Sequence, residues 1–168
     1  MKVIFLDFDG VLNSRRYLLN CGETDLAIDP AKMAVLKEIV DATGAKLVLS
    51  TSWREHWSAV PEECSHIGQR INEIFSDHGM QIFDKTPKLP ARAEEIKNWL
   101  DAHPETTNFV VLDDMFLGGD FLTGHFVKTS FYAEGLGKPE AEEAIAILKG
   151  GAVYGTDPVT ERNTQSGK

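Results

Sequence analysis

The sequence predicts an α/β domain built on a largely parallel sheet. Short apolar runs suited to buried strands recur along the chain. Between them lie segments of about 10 to 15 residues with apolar side chains at helical spacing. Three of the apolar runs stop at hydroxyl or acidic residues, as strands do when they leave a core. Strands joined by helices of that length need right-handed crossovers, which set them side by side in parallel.

Each element follows from local chemistry. Val3-Ile4-Phe5-Leu6 reads as a buried strand. Asp29 is a helix N-cap and Pro30 the first helical residue, with Met33, Leu36 and Val40 as the apolar stripe and Gly44 as the stop. Lys46-Leu47-Val48-Leu49 is a second strand. Residues 65–78 carry Ile67, Ile71, Ile74 and Phe75 at helical spacing, and Gly79 closes that helix. Gln81-Ile82-Phe83 is a weak third strand. Residues 90–103 form a helix with Ala93, Ile96, Trp99 and Leu100 inward. Phe109-Val110-Val111-Leu112 is a strong strand, His125-Phe126-Val127-Lys128 a short one, and residues 139–148 a last helix. Residues 14–28 lack periodicity and are expected to form a flap over the carboxyl ends of the strands. One domain over residues 1–155 is expected, followed by a polar, frayed tail over 156–168.

Composition narrows the function. Seventeen basic and 26 acidic side chains give a net charge of -9, which repels polyanions and disfavours non-specific nucleic-acid binding. The two cysteines, Cys21 and Cys64, form no C-x-x-C pair, so a reduced, cytoplasmic setting is expected. The first apolar run is short and broken by Asp7, unlike a signal peptide. No stretch approaches the roughly 18 apolar residues of a membrane span. No membrane association and no obligate protein partner are indicated.

Ligands of such sheets sit beyond the carboxyl ends of the strands. There the chain places Asp7-Phe8-Asp9-Gly10, Ser50-Thr51-Ser52 and Asp113-Asp114. Four carboxylates crowded on one edge repel, and a divalent cation is the natural compensation. Oxygen-only donors favour Mg2+. In D-x-D-G the two aspartates of an extended segment face one side, so one can attack phosphorus while the other handles protons. Gly10 permits a sharp exit or a close backbone approach to a ligand. Phosphoryl transfer further needs donors and a cation. Ser50 supplies a donor, with Thr51 as the alternative. Arg92 at its helix start, or Lys88 just before it, supplies the cation. Arg54 is near enough to Ser50 in sequence to be a substrate contact. Trp53 and Trp57 read as packing residues. An EF-hand calcium loop is excluded, because Val11 and Leu18 stand where it needs ligands. The histidines form no H-x-x-x-H pair, and Cys64-x-His66 lacks partners for zinc.

Asp7-Phe8-Asp9-Gly10-Val11-Leu12-Asn13 resembles the first motif of the haloacid dehalogenase (HAD) superfamily. Leu47-Val48-Leu49-Ser50 resembles its second, Arg92 or Lys88 fits its third, and Val110-Val111-Leu112-Asp113-Asp114 resembles its fourth. Ser50-Thr51-Ser52-Trp53-Arg54 and the segment 92–100 are similar to the HAD-type domain of Swiss army knife RNA-repair proteins. The resemblance implies a Rossmann-like three-layer sandwich, with Asp7 as nucleophile and Asp9 as general acid and base. It implies magnesium held by Asp7, the backbone carbonyl of Asp9, and Asp113 or Asp114. The third motif is commonly lysine, and arginine here keeps the charge and adds a bidentate grip. No insertion is long enough for a full cap domain. The expected activity is hydrolysis of a phosphate monoester through an aspartyl-phosphate, on a phosphorylated small molecule. The alternatives are an end-processing phosphatase acting on a nucleic-acid end, and an idle metal-binding interaction module. Asp9 speaks against the last, which has no use for a proton-handling carboxylate.

Overall fold

The computed structural model describes residues 1–22 and 26–150. The polar tail expected over 156–168 lies outside the described residues. Among the described residues the strands are β1 Lys2–Leu6, β2 Lys46–Leu49, β3 Ile82–Lys85, β4 Asn108–Asp113 and β5 Phe126–Lys128. The helices are α1 Arg15–Asn20, α2 Pro30–Thr43, α3 His66–Asp77, α4 Arg92–Ala102 and α5 Lys138–Leu148. Short 3-10 turns lie at Ser52–His56, Pro61–Glu63 and Asp120–Leu122.

All pairings are parallel, in the order β3-β2-β1-β4-β5. Successive residues of β1 serve opposite faces. Ile4 and Leu6 join Leu47, Leu49, Val110 and Leu112 in a core shared with α2, α3 and α5. Val3 and Phe5 join Val48 and Val111 in a second core with Ile96 and Trp99 of α4. The sheet is thus covered on both sides, which is why its central strands are uniformly apolar rather than alternating. The result is a Rossmann-like three-layer sandwich. No cap domain interrupts it among the described residues, and no helix is long and apolar enough to cross a membrane.

The punctuation of α2 is as the sequence predicts. The Asp29 carboxylate accepts the amide of Ala31 at 2.9 Å, and Gly44 ends the helix with φ 67°. Its buried stripe is Met33, Leu36 and Ile39, with Val40 at the margin, because the face advances by three rather than four at that turn. β3 runs two residues beyond its apolar run. A register shift between Leu47 and Val48 lets Asp84 and Lys85 continue the ladder on this edge strand. α4 begins at Arg92, since Ala91 is still extended. Inside 14–28 lies α1, capped by Ser14 and too short to show a period.

Candidate active site

The order of the sheet brings β2, β1 and β4 together, so their carboxyl ends adjoin. The ladder continues one residue past each strand: the amide of Asp7 donates to the Leu112 carbonyl at 3.1 Å, and that of Ser50 to Leu6 at 3.0 Å. These bonds hold Asp7 centrally. Arg92 approaches from the first turn of α4. Its Nη1 lies 2.6 Å from Asp7 Oδ2 and 2.5 Å from Asp113 Oδ2. The other Asp113 oxygen accepts the Met115 amide at 2.8 Å. Oxygens of Asp7, Asp113 and Asp114 all lie within 4.8 Å of one another.

Crowding marks the electrostatics of this group. Burial, and next the Asp7 carboxylate, push the Asp113 carboxyl up to about 6, with Arg92 opposing. Asp114 is raised by burial and then by Asp7, with Lys128 opposing. Burial alone would lower the pKa of Arg92, but Asp7 and Asp113 outweigh it and raise it. The guanidinium therefore stays charged.

The surroundings are equally specific. The Ser50 hydroxyl is fully buried and has no hydrogen-bond partner among the described residues. A buried hydroxyl left so is costly, and a ligand oxygen would satisfy it. Gly10 has φ 75°, and a Cβ there would lie 2.5 Å from Asp114 Cγ, so only glycine lets that carboxylate settle over the turn. Thr51 caps the following turn, its Oγ1 accepting the Trp53 amide at 3.4 Å. Asp9 is exposed, and of the four carboxylates expected together its own is not in the mutually close group, which holds Asp7, Asp113 and Asp114. One of its oxygens accepts Asn13 Nδ2 at 2.9 Å and the other accepts Trp53 Nε1 at 3.1 Å.

Over residues 3–141 the chain matches the family model described as the HAD domain in Swiss Army Knife RNA repair proteins. The chain belongs to this family. No curated protein and no solved structure matches it.

Three cations of the HAD domain find places that sequence alone left open. Lys88 is exposed and pairs with Glu55 at 2.7 Å, whereas Arg92 sits inside the carboxylate group. Arg54 is only 6% exposed and points inward, to Glu95 and to backbone carbonyls. Its guanidinium makes no exposed substrate surface. Trp57 is buried as a packing residue, but Trp53 also holds Asp9. Asn13 accepts the Gly10 amide at 2.9 Å as well as donating to Asp9. Its position four residues after Asp9 is the sequence signal for that contact. For Trp53 there is none beyond its place next to Arg54.

The donor set also bears on a metal. Of the three carboxylates, Asp7 and Asp113 share the Arg92 guanidinium and Asp114 lies near Lys128, so three acidic groups face two cations and negative charge is left over. All their donor atoms are oxygen, the ligation a hard divalent cation takes. The residues present fit magnesium.

Proposed function

We propose that this HAD domain is a magnesium-dependent phosphate monoester hydrolase that works through an aspartyl-phosphate on Asp7. The observation that carries the reading is one arginine bridging Asp7 and Asp113, beside an unpartnered Ser50 hydroxyl. Ser50 and Arg92 would take the phosphoryl oxygens and aim phosphorus at Asp7. An Asp7 oxygen bonds to phosphorus as the ester P–O bond breaks, and Asp9 gives its proton to the departing oxygen. Water then yields a proton to Asp9 and attacks phosphorus, which releases inorganic phosphate and restores Asp7. Asn13 and Trp53 hold the Asp9 carboxylate for both transfers. Magnesium, held by Asp7, the Asp9 carbonyl, and Asp113 or Asp114, would neutralise charge on the transferring group.

A phosphorylated small molecule is the first substrate class. A phosphorylated nucleic-acid end is the second, favoured by the family description and by the absence of a cap among the described residues. Two donors dedicated to Asp9 favour turnover over an idle metal-binding module.

The test is hydrolysis of p-nitrophenyl phosphate, then of sugar phosphates, nucleotides and phosphorylated oligonucleotides. Activity is expected with magnesium and is expected to vanish with a chelator. Full activity in excess chelator, once metal removal is verified, rejects the metal requirement.

A further inference from the structure

We propose that Arg54 is a positioning residue that fixes the Ser50 strand end against the helix bearing Arg92. The inference rests on the reaction proposed above, in which Ser50 and Arg92 grip one phosphoryl group. Those two residues stand on different elements, so something must set their separation. The start of α4 does not do it alone, because Ala91 offers no side-chain cap.

Arg54 spans the gap. From the turn after β2 its Nη1 donates to the Thr51 carbonyl at 2.8 Å and to the Ser50 carbonyl at 3.5 Å. Its Nε donates to Thr86 at 3.2 Å and its Nη2 to Pro87 at 3.4 Å, both in the loop after β3. Nη2 also pairs with Glu95 in the first turn of α4. The same Glu95 oxygen accepts the amide of Leu89 at 3.0 Å, which ties the approach to the helix into the clip. From β3, Lys85 Nζ donates to the Arg54 carbonyl at 3.3 Å and to the Trp57 carbonyl. Three segments that frame the phosphoryl site thus meet on one guanidinium.

Stability alone does not call for this arrangement. A buried ion pair is commonly no better than well-packed apolar residues of the same volume. What a guanidinium adds is direction, through several donors in a rigid plane, where a lysine offers one compact charge. Arg54→Lys therefore keeps the charge and loses the span.

The experiment is a double-mutant cycle. Single-turnover hydrolysis of p-nitrophenyl phosphate is measured for Arg54→Lys with Arg92 present and with Arg92→Ala. Misplaced catalytic groups cost up to about 100-fold, so a loss of about 10- to 100-fold is expected with Arg92 present. In the Arg92→Ala background the further loss is expected to be under about twofold, because the positioned group is gone. An equal loss in both backgrounds marks a general structural role and overturns the proposal. Glu95→Gln is the milder second variant, run in the same cycle should Arg54→Lys fail to fold. Hydrogen exchange gives a readout independent of turnover. Protection is expected to fall together at residues 51–54 and 86–92 in Glu95→Gln, with β1 and β4 unchanged. A change confined to α4 overturns the clip. Should the unsubstituted protein hydrolyse no phosphate monoester with magnesium, the proposed reaction fails, and the exchange pattern alone decides whether Arg54 joins the segments.

Discussion

Arg92 and Lys88 lie four residues apart, yet their surroundings differ completely. One bridges two aspartates and the other sits in solvent beside Glu55. Removal of a donor aimed at developing charge costs about 10²- to 10³-fold in turnover. Arg92→Ala is expected to lose that much at saturating magnesium, and Lys88→Ala less than about threefold, a surface pair being worth little. The reverse ranking would move the phosphate-binding cation to Lys88. Asp9 invites a second test. p-Nitrophenolate leaves with little need of a proton, so Asp9→Asn should slow the water step more than the first step. Phospho-enzyme is expected to build up in Asp9→Asn and to be absent in Asp7→Asn, whose neutral amide is a poor nucleophile. Acid quench with intact-mass measurement and peptide mapping reads both. A phosphoryl group on Ser50 or Thr51 instead would reject the mechanism.

At the scale of elements, the turn Ser52–His56 matters most, because it carries Trp53 outward and Arg54 inward. Helix α3 pins it from below. Gly68 faces the turn so closely that a Cβ there would lie 1.9 Å from the His56 carbonyl oxygen. Helix propensity alone favours Gly68→Ala by about 1 kcal/mol. The contact opposes this with an overpacking cost of about 1 to 3 kcal/mol, so a net loss of up to about 2 kcal/mol is expected. Urea unfolding midpoints at constant m measure it, and a gain in stability would show that α3 does not pin the turn.

This element also shows what the sequence could and could not disclose. Strands β1, β2 and β4 were legible because burial on both faces leaves continuous apolar runs. The D-x-D-G turn, the Ser50 strand end and the acidic doublet were legible because strand ends concentrate polar residues. The inward aim of Arg54 was not, since local spacing says nothing about a partner 41 residues away on another helix. Nor did the Trp53 contact with Asp9 leave a local trace, because two loops meet only after the sheet assembles.

For the molecule as a whole, the carboxylate group sets a pH dependence. The folded Asp113 carboxyl holds its proton up to about 6, against an ordinary value of 3.8. Between those values the native state binds more protons than the unfolded chain, so stability falls as pH rises through the interval. Asp114 shifts in the same direction. The metal-free protein is therefore expected to lose part of its stability between about pH 4 and 6 and not regain that part above. Magnesium held by the ionised group, as proposed, would stabilise the folded state by mass action. Its effect on the melting temperature is expected to be large at pH 7.5 and small at pH 4.5. Melts with chelator and with magnesium across that range test this, and an equal shift at both ends would separate the metal from these carboxylates.

The bond from Trp53 to Asp9 has one more consequence. An indole whose N–H rests on a carboxylate feels that group's charge in its excited state. Trp57 and Trp99 are buried and donate elsewhere, to Asn72 and Asp84. Trp53 is the tryptophan in direct contact with a residue proposed to lose and regain a proton in each cycle. Trp53 would thus serve as an optical reporter of the charge on Asp9, with no label to attach and no substrate analogue to design.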